Sequence, residues 1–520
     1  MILVVELLLD SGMRRYTKQG VVDPAGVCEA RLMQLEGARR EISSPPGEIT
    51  FDEGSFTLAD GDNAIKRLIQ SEPIRNRRVN IKIGLSSERL DQFTLFSSGL
   101  VRSWAFERDR TTIVFEPRIV ESVDRPLAFP VIESEFPALP VDFQPVIAPR
   151  VFGAKSSPDG AFGAFSVSDS IGDARFIAAL GQASVDQVFL YGQQQTTGFS
   201  TQFDASLFDG LGATIIVFTS NPDDFRQIGQ VECTWNGTGP GALGLNTDNP
   251  ADQLRSLLVI EGFDVDNDSF AAASAALINR GITSAGQISD PRSSVRRLIS
   301  DFAQSSNISV FASADESISV DVPRVSADVF GLLEVDAKRD VELFSLRVRT
   351  SDNVASSADV LFNQREAAGE SRGSISVIDD DQIIRLLEDK RIQMEAPYAV
   401  LPEVAERIAS DRLFFLREQS FAVSAVLRPE FLRSVSLGQD IIFSHFAGLD
   451  RTIYRVLAVG IDDSRNRLAC SVLLTPISEA QFGLPDEWIS FLGEETLRLS
   501  RGIDLMHDSI EPELLSAYNE

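Results

Sequence analysis

FTLADGDNAIKRLIQSEPIRNRRVNIKIGL, residues Phe56–Leu85, changes its hydrophobic period along its length. Gly61–Gln70 has helical spacing, with Asp62 placed to cap a short helix. Val79–Leu85 alternates apolar and polar residues, as a half-buried strand does. Upstream, Leu3–Asp10 and Met13–Tyr16 flank an Asp10-Ser11-Gly12 turn, which predicts a hairpin. Downstream, Phe93–Phe106 holds two apolar runs around Ser97-Ser98-Gly99, and Thr111–Glu116 follows the charged turn Glu107-Arg108-Asp109-Arg110. Frequent turns around one helix predict a β-barrel or sandwich.

The pattern then changes three times. Seven prolines fall between Asp124 and Pro158, which reads as extended connecting chain because proline fixes φ and removes a donor. Strand-like runs return at Arg175–Leu180, Gln187–Tyr191 and Ala213–Thr219. Next come three helices marked at their ends: Asn249-Pro250 before DQLRSLLVIEG, Asp268 before SFAAASAALINR with Gly281 closing it, and Asp290-Pro291 before RSSVRRLISDFAQ. A hairpin over Ile308–Ala312 and Ile318–Val322 completes a compact α+β module. Strands resume at Val341–Arg349 and Ser374–Ile378. A helix over Pro402–Arg417 precedes four more strands, Ser420–Leu427, Asp440–His445, Thr452–Ile461 and Leu468–Leu474. The two outer regions share a plan of strands, one helix and more strands.

A chain of 520 residues is long enough for three to five domains. No run of eighteen apolar residues exists, and the opening MILVVELLLDSG, interrupted by Glu6 and Asp10, reads as a strand and not as a signal segment. The net charge of −28 argues against specific nucleic-acid binding, which needs a basic footprint. Acidity serves solubility, or it gives a conduit wall that lets DNA slide without sticking. Three scattered cysteines (Cys28, Cys233, Cys470) and two histidines (His445, His507) leave zinc or iron–sulfur centres almost nothing to bind with.

Several motifs have a chemical reading and a plainer one. Gly239-Pro240-Gly241-Ala242-Leu243-Gly244 matches a dinucleotide fingerprint, but a proline sits inside it and no helix follows directly, so it reads as a loop. Asp264, Asp266 and Asp268 open like a calcium loop, yet Ser269 stands where glycine is needed and Ala275 where a bidentate glutamate is needed. Asp379-Asp380-Asp381 reads as an exposed turn. Neither histidine belongs to a triad or an elbow motif. Asn236-Gly-Thr238 and Asn307-Ile-Ser309 match a glycosylation pattern that carries no weight without a leader. Arg14-Arg15 and Arg75–Arg78 read as turn charges, whereas Arg292, Arg296 and Arg297 share one helix and could face an acidic partner. No catalytic, cofactor-binding or metal residue is assigned.

Together, several segments resemble the central hub proteins of phage tail tips and baseplates, including those of gene transfer agents. Phe56–Leu85 resembles the strand–helix–strand of a first hub barrel, and LDQFTLFSSGLVRSWAFERDRTTIVFEP followed by VDRPL resembles its next strands and exit. APRVFGAK, residues Ala148–Lys155, resembles the link after that barrel. NPADQLRSLLVIEGF and INRGITSAGQISDPRSSVRRLISDFAQSSNISVFASADESISVDV resemble the α+β middle module. PEVAERIASDRLFFLREQSFAVSAVLRPEFLRSVSLGQDIIFSH and the strands to Leu474 resemble the helix and closing strands of a second barrel.

The resemblance implies a mainly β fold with α+β parts: two tail-tube-type β-barrel domains separated by a β insertion and a small α+β module. The expected divisions are 1–140 (first barrel), 141–235 (proline-rich connector and β insertion), 236–335 (α+β module), 336–478 (second barrel) and 479–520 (peripheral tail). The helices Gly61–Gln70 and Pro402–Arg417 are expected on the outside of their barrels. The resemblance also implies a homotrimer at the virion tail tip, assembled in the host cytoplasm, that adapts a hexameric tube to a three-fold tip. Its implied neighbours are the tail tube or distal tail protein, the tape-measure protein and tip or fibre proteins. Genome DNA would pass through without specific binding, contact with the host envelope would be indirect, and neither a cofactor nor enzymatic activity is implied. The alternatives are a cell-wall-degrading tail enzyme and a receptor- or glycan-binding tip protein, the latter requiring aromatic residues concentrated in exposed loops.

Overall fold

A computed structural model describes residues 1–476 apart from 25, 43–52, 129–131, 137–147, 155–161, 168–173, 220–230, 237–246, 291, 323–331, 343–344, 351–353, 366–369, 417–420, 445–451 and 464–467. The fold is mainly β with helices. Nine strands form the first sheet, in the order Val21–Asp23, Gly26–Ala30, Gly12–Thr17, Ile2–Leu9, Arg78–Gly84, Thr94–Phe106, Arg110–Glu116, Gly54–Ala59 and Leu32–Glu36. The expected hairpin forms with Leu9 opposite Gly12 and Val5 opposite Tyr16. Alternation sends Leu3, Val5, Leu7, Val79, Ile81 and Ile83 into one core. The two apolar runs around Ser97-Ser98-Gly99 form one long strand, Thr94–Phe106. Gly99 permits a close approach there: a Cβ on it would lie 2.5 Å from the carbonyl oxygen of Glu116.

The short helix spans Ala64–Ser71 and buries Ile65 and Ile69 in that same core. Its cap differs from the expected one. Buried Asp60 accepts from the N–H groups of Ile65 (2.8 Å) and Lys66 (3.1 Å) and from the Thr111 hydroxyl (3.0 Å). Exposed Asp62 takes only the Ala64 N–H and pairs with Arg31. Asp60 prevails because the strand before the helix holds it inside, where each N–H bond replaces lost hydration.

The second sheet runs Leu333–Asp336, Asp440–Ser444, Thr452–Asp462, Ala469–Pro476, Phe421–Leu427 and Arg347–Thr350. Of the strand expected over Val341–Arg349, only Arg347–Thr350 is laddered, while Val341 makes an isolated bridge to Leu427. The long strand Thr452–Asp462 has one side only partly covered, because Asp440–Ser444 pairs with its first residues alone. The free stretch, Ala458–Gly460, is taken by Arg39–Glu41 from the N-terminal region. The two sheets share one continuous core, in which Phe56, Ile81 and Phe115 join Val335, Val423, Phe443 and Val472. Among the described residues the strand order of each sheet is open, not closed into a ring.

A second core gathers the middle helices Pro250–Ile260, Asn267–Asn279 and Val295–Ser306 with the hairpin Ser309–Ala312/Ile318–Asp321. It also takes in a three-stranded sheet of Glu370–Ile378, Ser357–Arg365 and Arg391–Ala396. The helix Pro402–Phe415 packs on this small sheet, not on the outside of the second large one as expected; Val404, Ala405, Ile408 and Ala409 are buried among the middle helices' apolar residues. Asn249 and Pro250 begin the first middle helix as read, and Gly281 (φ 63) closes the second. The caps of the other two shift: Asp266, not Asp268, caps Asn267–Asn279, and Ser294, not Asp290, caps Val295–Ser306. Two four-stranded sheets, each with strands between Phe162 and Asn236, form the insertion. No helix among the described residues is long and apolar enough to cross a membrane.

Replacing Asp60 with Ala orphans two buried N–H groups and a hydroxyl, and should cost about 2–4 kcal/mol in urea denaturation. Asp62→Ala, at an exposed ion pair, should change stability far less than Asp60→Ala in the same measurement.

Candidate functional site

The middle module meets both large sheets at its hairpin. At the turn, Ser98 Oγ of the first sheet donates to Ala314 O (3.0 Å), and the Arg118 N–H donates to Glu316 Oε1 (2.9 Å). At the hairpin's end, Arg455 of the second sheet is 4% exposed. Its Nε donates to Asp440 Oδ1 (2.9 Å), and its Nη1 donates to Asp321 Oδ2 (2.9 Å) and Val322 O (3.1 Å). Burial works against its charge, but the two carboxylates outweigh that and hold its pKa above the usual arginine value.

A cleft of about 390 Å³ opens at this junction. Arg40 of the crossing strand, Asp266 and Ser269 of the capped helix, Ser319 and Asp321 of the hairpin, and Ser436 just before the strand Asp440–Ser444 line it. Both acids are committed: Asp321 to Arg455, and Asp266 to the N–H groups of Asp268 and Ser269 and the Ser319 hydroxyl. A smaller cleft of about 30 Å³ lies against Arg40, Ser97, Ser98 and Glu316.

A second buried node fixes the segment entering the middle module. Glu261 accepts from Arg150 Nη1 (2.8 Å) and from the Ala128 N–H (3.0 Å), while Arg150 Nη2 donates to Ala128 O (2.8 Å). Arg150 belongs to the APRVFGAK link, whose strand Arg150–Phe152 pairs with Gly286–Ile288.

The residues singled out in the sequence have structural duties. Asp266 caps a helix, and no group of three or more metal-ligating side chains occurs among the described residues. Asp379 is not in a plain exposed turn, since it caps a helix over Asp380–Leu386. Arg292 and Arg297 pair with Asp290, and Arg296 pairs with Asp124, so the expected acidic partner lies within the chain itself. Arg15 pairs with buried Glu6, and Arg77 pairs with Asp10. The three cysteines are free and buried, and burial pushes the Cys233 and Cys470 thiols up to about 12. His445, His507 and the glycine-rich stretch 239–244 lie outside the described residues.

Among the described residues, the exposed large aromatic side chains are Phe106, Tyr191 and Phe203, on separate strands or turns. Burial displaces two carboxyls toward neutrality: Asp411, and Asp301, which rises to about 6 against the opposing pull of Arg297 and a hydrogen bond from Tyr398. Neither lines a cleft. Sequence reasoning missed Arg40 and Arg455, because GARRE and TIYRV carry no motif; their importance lies in burial alone.

No family model matches the chain, and no curated protein matches it. Among solved structures it is similar to the 43 kDa tail protein of prophage MuSo2 from Shewanella oneidensis, at 8% identity over 91% of this chain and 98% of that one, with a TM-score of 0.43. It is similar to a tail protein from Neisseria meningitidis MC58 at 9% identity, covering 91% and 96%, with a TM-score of 0.42. The prophage tail protein gp18 from Listeria monocytogenes EGD-e gives 7% identity, 93% and 97% coverage, and a TM-score of 0.37. All three of these neighbours are tail proteins, two of them from prophages.

Arg455→Met would leave Asp440 and Asp321 without their cation, and should cost about 3–5 kcal/mol in chemical denaturation. Asp301 holds its proton more tightly folded than unfolded, so its contribution to stability is present at low pH and is lost as pH rises from about 4 to about 6. Asp301→Asn should flatten stability across that window in denaturation series at stepped pH.

Proposed function

We propose that this chain is a structural subunit of a phage-type tail: the trimeric hub of the tail tip, joining a hexameric tube to a three-fold tip. The observation that supports this reading is the fusion of the two outer sheets. Two β units lie side by side in one chain and share a core, so three copies would present six units to a six-fold tube. Such a ring needs heterologous, closing contacts, and the open strand order of each sheet leaves edges for neighbours to cover. The order of the hub-like segments along the chain supports it independently.

In this reading residues 1–140 and 336–478 supply the two tube-type units, which complete their barrels only in the ring. Residues 141–235 and 236–335 form the insertion and the middle module, and 479–520 the peripheral tail. The neighbours are tube or distal tail, tape-measure and tip or fibre proteins, with assembly in the host cytoplasm. The chain acts as scaffold and conduit, not as an enzyme. Its surplus of acid lies after residue 150, since the first 150 residues are nearly balanced in charge. The repulsive part of the conduit wall is therefore assigned to the later segments.

Native mass measurement of the full 56.9 kDa chain mixed with its tube protein should give a ring of three copies. A stable monomer that never joins tube protein would sink the hub reading.

A further inference from the structure

Among the described residues, Arg40 is the one cation lining the larger cleft. Its strand, Arg39–Glu41, is held by backbone pairing with Val459 and its neighbours, so the side chain starts from a fixed point. Its guanidinium carbon sits 5.0 Å from the centre of the Phe96 ring, which covers one face. Its Nε is buried and has no hydrogen-bond partner among the described residues. Burial pulls its pKa below the usual arginine value, and no carboxylate among the described residues offsets this. Its sequence neighbours Arg39 and Glu41 pair with each other. The acids in the cleft wall, Asp266 and Asp321, are already bound to other donors. Among the described residues no carboxylate pairs with this half-buried guanidinium, and an anion would supply the missing charge.

Of the wall's hydroxyls, those of Ser269, Ser313 and Ser319 already donate within the chain, which leaves the Ser436 hydroxyl beside Arg40 as a donor. The cleft is about 390 Å³, room for a small oxyanion and its water. A guanidinium fork matches the oxygens of a carboxylate or a phosphate and binds them bidentately.

We propose that Arg40 binds an oxyanion, a carboxylate or phosphate group, in the cleft where the two large sheets meet the middle module. The occupied site would tie the crossing strand to the hairpin and so fix the module's angle against the sheets. It does not depend on the hub reading.

The test uses the full chain in an anion-poor buffer, titrated calorimetrically with inorganic phosphate and separately with acetate, alongside thermal unfolding. Wild type should bind one of the two and unfold at a higher temperature with it. Arg40→Met should bind at least tenfold more weakly. Without anion, R40M should be as stable as wild type or more so, because an uncompensated charge has been removed; with anion, the order should reverse. Phosphate binding would identify a tetrahedral ligand and acetate binding a planar carboxylate, and either supports the proposal. If neither anion binds, or R40M responds as wild type does, the proposal fails and Arg40 merely packs on Phe96. Should R40M not fold, Arg40→Lys serves: it keeps the charge, loses the fork, and must also bind at least tenfold more weakly.

Discussion

Three residues hold the architecture together. Arg39–Glu41 leave the first sheet and complete the half-covered side of Thr452–Asp462. The Ile42 N–H donates to Leu457 O (2.7 Å) and the Ile461 N–H to Ala38 O (3.0 Å), so the ladder continues past the strand on both sides. A sheet side left open costs its unpaired backbone groups and invites other chains to pair with it. Here that side is closed from within, and closing it forces the two sheets into one core. Leu35 and Lys18 then reach Asp463, anchoring the first sheet to the end of the same strand.

The buried charges complement this backbone device. Arg455 with Asp440 and Asp321, and Arg150 with Glu261, lie at junctions between parts of the chain. Desolvation consumes most of what such pairs gain, so they are poor sources of net stability. Their value is geometric: a misplaced hairpin or link would strand an ion. The apolar cores provide the cohesion and the ions select the register.

Local physics was legible in the sequence. Asp10-Ser11-Gly12 marked its hairpin, Asn249-Pro250 its helix start and Gly281 a helix end, because turn and cap chemistry is written within a few residues. Choices between nearby acids were not legible. Asp60 outranks Asp62, and Asp266 outranks Asp268, because burial and Ser319 decide between candidates two residues apart. Which sheet the helix Pro402–Phe415 covers was also hidden, since its apolar face fits either one. The junction cleft was invisible, because GARRE shows neither alternation nor a motif, and Arg40 matters through the partners it lacks.

The crossing strand also sets an order of events. The Leu35 N–H and the Asp463 carboxylate that accepts it stand 428 residues apart. Closing so long a loop costs roughly 5 kcal/mol of chain entropy, and nothing repays it until the last strands exist. On a ribosome, the first sheet must wait with its core half exposed until nearly the whole chain has emerged. The middle helices wait as well, because their core is completed by the small sheet and by the helix Pro402–Phe415. Folding of this chain is therefore timed by its later strands, and a truncation that spares every N-terminal residue would still leave the first sheet's side of the shared core uncovered.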